Sequence, residues 1–171
     1  MWYAVQVMTG REETVKDMCK RHIDKKQYND IFVIRFDKAK RYYGTWHKEK
    51  EIMFPGYIFI DSNNPQQIYE HLKNVPELTK MLGRDKNEFT PIEAGKEAMF
   101  KAMVNDNYEI PLSVGVIAGD KVIVKEGPLS GMEGLIKKID RHKRVAVLNA
   151  QMFEQDVDIR IGLEIIEKYK K

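Results

Sequence analysis

The sequence holds one cysteine, Cys19. An intramolecular disulfide is therefore excluded, as is a metal site built from several cysteines. A lone thiol of this kind belongs in a helix or core. Long apolar runs are also missing. Nothing approaches the roughly 20 residues of a membrane helix, and the strongest candidate, Phe54 to Ile60, has the length of a strand. The opening Met-Trp-Tyr-Ala-Val-Gln-Val has neither the basic start nor the small-residue cleavage site of a signal peptide, and reads as a first strand. Charge of one sign is absent too: 29 Lys+Arg stand against 26 Asp+Glu, a net of +3 that leaves no acidic or basic tail. The four histidines, at positions 22, 47, 71 and 142, are scattered, and no His-Glu-x-x-His, phosphate loop or nucleophile elbow occurs. Paired acids such as Glu12-Glu13 read as solvated helix surface. Dispersed catalytic residues would leave no such motif, so the expectation, not an exclusion, is a cytoplasmic, non-enzymatic protein with no cofactor or metal and no membrane partner.

What is present is enough apolar residue, 43% of 171, for one ordinary domain or two small ones. Trp2 to Met8 and Ile31 to Phe36 are rich in β-formers, and Ile52 to Ile60 is a strand returning to the core. Residues 37–51 form a charged hairpin turning near Tyr43-Gly44-Thr45. Helical spacing of Val15, Met18, Cys19 and Ile23 predicts a helix over 11–26. Pro65 opens a second helix with Ile68, Tyr69 and Leu72 on its apolar face. An apolar patch from Leu78 to Leu82 stops at Gly83-Arg84-Asp85, and Pro91-Ile92 opens a third helix. This order predicts a mixed sheet with helices packed on it, over residues 1–105. Residues 106–116 carry Pro111 and Gly115, show no period, and read as a linker. From 117 to 171 short strands at tight spacing (121–125, 134–139, 144–149, 156–161) predict a small antiparallel barrel. The fold class is α+β.

Two segments concentrate cations. Lys137 to Arg144 holds five basic residues against one acid, plus His142. Arg35 to Lys50 holds six against two, interleaved with Phe36, Tyr42, Tyr43, Trp46 and His47. A solvated charged face is the ordinary reading of such runs. Cations with aromatics among them also suit nucleic acid, because phosphates take charge and bases take stacking.

The most specific segment is Gly119-Asp-Lys-Val-Ile-Val-Lys-Glu-Gly-Pro-Leu-Ser-Gly-Met-Glu-Gly-Leu-Ile136. It places a strand, a Gly127-Pro128 turn, and glycines 131 and 134 where the chain bends into the next strand. Its glycine spacing resembles the KOW motif, with Leu129 where many members have an aromatic. Trp2-Tyr3-Ala-Val, the helix with Glu12-Glu13 and Val15, Phe54-Pro55-Gly56-Tyr57-Ile-Phe59, Val75-Pro76, Leu82-Gly83 and Pro91-Ile92 resemble, in order, the N-terminal domain of the NusG transcription-factor family. The resemblance covers essentially the whole chain.

The resemblance implies a NusG-type N-terminal domain followed by a small SH3-like KOW β-barrel. It implies an elongation factor that binds the clamp helices of the RNA polymerase β′ subunit; a monomer is expected, although the sequence does not name the oligomeric state. Phe54 and Tyr57 would be the main contacts, with Phe59 and Tyr3 nearby, although alternation along the strand places half of this run inward. Housekeeping members carry a Phe-Gly-Arg-x-Thr-Pro-Val turn where partner proteins bind. Here the stretch is Phe153-Glu-Gln-Asp-Val-Asp-Ile159. That departure suggests a specialised paralog, and the opening looks more like the antiterminator LoaP than RfaH. Such a protein would bind a hairpin in the nascent leader RNA through Lys137, Lys138, Arg141, His142, Lys143 and Arg144. Glu133, Asp140, Glu154, Asp156 and Asp158 should then lie off the binding edge. A housekeeping factor coupling polymerase to Rho or the ribosome, and a plain RNA-binding or ribosome-assembly module, remain alternatives.

Overall fold

The computed structural model describes residues 1–78, 88–153 and 155–169. In chain order its elements are β1 (Trp2–Gln6), α1 (Glu12–His22), β2 (Asp30–Phe32), β3 (Arg35–Tyr42), β4 (Thr45–Ile52), β5 (Tyr57–Asp61), α2 (Pro65–Leu72), β6 (Phe89–Pro91), α3 (Ala94–Met103), β7 (Glu109–Ile110), β8 (Ser113–Ala118), β9 (Lys121–Glu126), β10 (Ile136–Asp140), β11 (Val145–Met152) and β12 (Gln155–Tyr169). The chain divides into two compact units: Met1–Ile34 with Phe54–Phe100, and Arg35–Met53 with Lys101–Lys171. The apolar patch beyond Leu78, its Gly83-Arg84-Asp85 stop and Glu154 lie outside the described residues.

In the first unit the strands run β2-β5-β1-β6, and every pairing is antiparallel. This corrects the mixed sheet expected there. Helix α1 ends at His22 rather than Lys26, because the backbone turns extended at Ile23. Its first turn carries Glu12 and Glu13 and its last turn Lys20, Arg21 and His22, which complements the helix dipole. Pro65 takes the first turn of α2, where a missing N–H costs nothing. The core is a run of rings. Trp2 meets Phe32 edge-on at 4.8 Å, Phe32 stacks on Phe59 at 5.7 Å, and Phe54 stands edge-on to both Phe59 and Phe100 at 5.6 Å. Each ring pair adds roughly 0.5–1.5 kcal/mol beyond the burial of its area.

In the second unit β3 and β4 form the long hairpin, and β7 adds to β3 in parallel. A five-stranded sheet follows in the order β10-β11-β12-β8-β9. Strand β12 joins its two halves. Residues 155–162 pair antiparallel with β11, and residues 163–169 pair parallel with β8. The expected all-antiparallel barrel is therefore corrected in direction, and the described pairings leave β10 and β9 as edges of an open order. Two strands, β7 and β8, begin inside the stretch read as a linker. Pro111 and Gly115 hid them, yet Ile110 and Ser113 are buried. Gly127 sits at φ 103, and a Cβ there would lie 2.6 Å from the Ser113 Cα. The Ser113 hydroxyl accepts from the Leu129 N–H at 3.1 Å, so Leu129 seals the core where other KOW sequences place a ring. Gly162 lets β12 approach β3, since a Cβ there would collide with the Asp37 carbonyl oxygen.

Candidate nucleic-acid interface

The Pro55-Gly56 turn lies between Phe54 and Tyr57, and its anchor is a residue read from the sequence as solvated. Glu12 is only 3% exposed. Its Oε1 accepts from the Gly56 N–H at 2.9 Å, and both its carboxylate oxygens accept from the Gly10 N–H at 3.0 Å. Gly56 also accepts from the Val7 N–H at 2.8 Å and stands at φ 86, which suits glycine. The turn is thus locked to β1 and α1. Within it, Phe54 is 4% exposed among the rings, Phe59 and Tyr3 are buried, and Tyr57 is half-buried. Of the four residues expected to meet polymerase, Tyr57 carries the most open surface.

The β3–β4 hairpin turns through Tyr43 and Gly44 at φ 52 and 76, with Tyr42 opposite Thr45. Two positive φ angles are the mark of a type I′ turn, whose twist matches the strands. Cross-strand partners share a face and alternate along the strand. Arg41, Trp46, Ala39 and Lys48 therefore lie on one face. Tyr42, Thr45, Lys40 and His47 lie on the other, where Tyr42 stacks on His47 at 3.7 Å.

The first face meets the turn between β10 and β11. The Arg144 guanidinium lies 3.5 Å over the Trp46 ring and donates to Glu164 at 2.9 Å. Asp140 shapes that turn by accepting from the Lys143 N–H at 2.9 Å. This bond, and behind it the charges of Lys143, Lys138 and His142, hold the Asp140 carboxyl below its ordinary range. Lys38, Lys40, Arg41, Trp46 and residues 141–144 line one groove of about 390 Å³. Parts of the two basic segments, about 100 residues apart in sequence, share this groove.

That surface is not the cluster the sequence suggested. Lys137 and Lys138 line a separate groove with Lys121, Asp120 and Glu133, beside the β8–β9 turn, and Lys137 is paired with Asp158 at 3.4 Å. Lys38, Lys40 and Lys50 are held by Glu51, Glu49, and Asp37 with Glu109. Arg41, Lys48, Lys138, Arg141 and Lys143 have no ion pair among the described residues. Glu133 is engaged by the Val124 N–H, and Asp156 by the Gln151 amide. Asp140, expected off the edge, ends β10 at the mouth of the turn. Arg41 and Trp46 line the groove individually, and their interleaved spacing is the signal the sequence offers for them.

No group of three or more histidine, cysteine or carboxylate side chains is disposed to hold a metal among the described residues. Burial pushes the Cys19 thiol up to about 12, so it stays protonated and unreactive. No helix among the described residues is long and apolar enough to cross a membrane.

A family model described as the transcription termination factor NusG matches residues 1–101, and a KOW motif model matches residues 118–148. The chain belongs to the NusG family. NusG of Rickettsia felis, named a transcription termination/antitermination protein, is 25% identical over 98% of this chain and 89% of its own length. The protein of the same name from Neisseria meningitidis is 22% identical over 98% and 97%. A solved structure of Thermotoga maritima NusG, described for its domain interaction, matches with a TM-score of 0.53, 22% identity, and coverage of 96% and 93%. NusG-family members are transcription factors, so the missing catalytic motifs need no separate account.

Proposed function

We propose that this NusG-family chain is a transcription antitermination factor in the cytoplasm. Its first unit engages the clamp helices of RNA polymerase through the Pro55-Gly56 turn. Its second unit holds a structured hairpin of the nascent transcript. The observation that carries the reading is the joining of residues 38–48 and 141–144 around the Arg144–Trp46 contact. Within the two basic segments, Arg41 and Lys48 on the hairpin and Arg141 and Lys143 on the β10–β11 turn have no ion pair among the described residues. RNA helices are recognised largely through phosphates, shape and 2′-hydroxyls, which such a surface suits. The altered turn at Phe153 favours a specialised, LoaP-like role. Phe153 is buried at φ 57, and Gln155, Val157 and Asp158 stand where housekeeping members carry Arg, Thr and Pro.

The test is a gel-shift series on the full chain with an RNA hairpin at several salt concentrations. Changing Arg41, Arg141 or Lys143 to Ala should weaken binding and lower the log–log salt slope by about one for each phosphate no longer neutralised. Unchanged affinity and slope in all three would overturn the RNA assignment. A housekeeping role is the second reading, favoured by whole-length similarity to proteins named for termination as well as antitermination. A clear increase in Rho-dependent termination by the purified protein would establish it instead.

A further inference from the structure

Tyr43 is 96% exposed, the most open large side chain with an apolar body among the described residues. Its backbone sits at φ 52, a region that bulky L residues avoid and that Asn, Asp or Gly fill at this turn position. Its ring contact is the edge of Tyr42 at 5.8 Å, and Tyr42 is braced in turn by its stack on His47. The ring buries almost nothing and occupies an unfavourable backbone position, so the fold gives no reason for it. An outlier of this kind at an exposed tip points to a binding role.

The surroundings say what would bind. Immediately behind the tip lie Arg41 and Lys48 on one face and Lys40 on the other, with Arg141 and Lys143 across the groove. An open ring ahead of a bank of cations matches a nucleotide whose base is out of its helix, with the flanking phosphates held behind it. Bases stack on such rings regardless of identity. Resting on the RNA reading above, we infer that Tyr43 stacks an unpaired nucleotide of the RNA hairpin, in its loop or as a bulge. The protein thereby prefers stem-loops with a flipped base over uninterrupted duplex. The second reader is the β3–β4 hairpin, not the KOW segment alone.

The experiment uses the full chain and two RNAs with the same stem, one with a single-nucleotide bulge and one fully paired, each carrying 2-aminopurine at the corresponding position. A DNA stem-loop of the same sequence is the control. Wild type should bind the bulged RNA more tightly, with quenching of the bulged 2-aminopurine as it stacks. Tyr43→Ala should weaken that complex about 5- to 150-fold and abolish the quenching, while binding to the paired RNA and the salt slope stay as they were. Tyr43→Phe should keep both affinity and quenching, because stacking needs the ring and not the hydroxyl. Equal binding of bulged RNA by wild type and Tyr43→Ala would overturn the inference and leave the salt-dependent RNA reading intact. Loss of polymerase association with unchanged RNA binding in Tyr43→Ala would also overturn it, making the tip a protein contact. Failure of wild type to bind any hairpin would remove both. Tighter binding to the DNA control would assign the tip to DNA and reject the RNA form.

Discussion

Arg144 covers Trp46. The guanidinium carbon lies 3.5 Å from the ring centroid, tethered by Glu164, and so fixes the β10–β11 turn on the β3–β4 hairpin. Arg144 itself stands at φ 56, a backbone position of low intrinsic stability. A planar, weakly hydrated cation suits this stack better than a lysine ammonium does.

Replacing Arg144 with Lys or Ala should therefore uncover Trp46. The chain has two tryptophans, and Trp2 is 2% exposed in the first core, so acrylamide quenching reports on Trp46. Quenching should rise in both variants, with a stability loss of roughly 0.5–2 kcal/mol. Quenching unchanged in Arg144→Ala would show that the turn and hairpin do not need the contact.

Phe54 and Tyr57 should separate when changed singly. Phe54 fills the space between Phe59 and Phe100, so Phe54→Ala leaves a cavity and should cost about 3–5 kcal/mol in urea unfolding. Tyr57 is half-buried, so Tyr57→Ala should leave the unit folded and reduce co-purification with RNA polymerase. A folded Tyr57→Ala that binds polymerase as wild type would remove Tyr57 from that contact.

The base of the hairpin should respond to acid and to strong base. The Lys50 ammonium, donating at 2.8 Å, and next the Asn105 amide hold the Glu109 carboxyl below its ordinary range. Bonds to Glu109 and then Asp37 raise Lys50. A depressed folded pKa gives Glu109 a contribution that is present above the ordinary glutamate value of about 4.3 and lost as pH falls through the folded value. A raised folded pKa gives Lys50 a contribution present below about 10.4 and lost as pH rises through its folded value. Both side chains reach solvent, so the effect should stay under about 1 kcal/mol. Protection factors along β3 and β7, corrected for the intrinsic exchange rate, should fall below about pH 4 in wild type. Glu109→Gln should exchange faster at neutral pH and show a smaller acid response. Identical pH profiles for the two proteins would assign the acid sensitivity elsewhere.

Much of this was legible in the sequence. Short-range chemistry decided it. β-formers marked β1, β2 and β5, Pro65 marked the start of α2, and Gly44 and the Gly127-Pro128 pair marked their turns, because each depends on backbone preferences of a few neighbours. The motif order that led to the NusG family is also local information, read segment by segment. Tertiary structure alone decided the rest. Glu12 looked like helix surface because a carboxylate's environment depends on which amides reach it, and the Gly56 N–H comes from 44 residues away. Lys137 and Arg144 looked like one cluster because sequence spacing does not say which side of a strand edge each cation reaches. Strand β12 looked short because apolar alternation reports the buried face of a strand. It does not report that residues 163–169 would find β8 as a parallel partner for their backbone hydrogen bonds. The meeting of parts of two basic segments in one groove rests on the same kind of fact: Arg144 meets Trp46 only once the chain has folded.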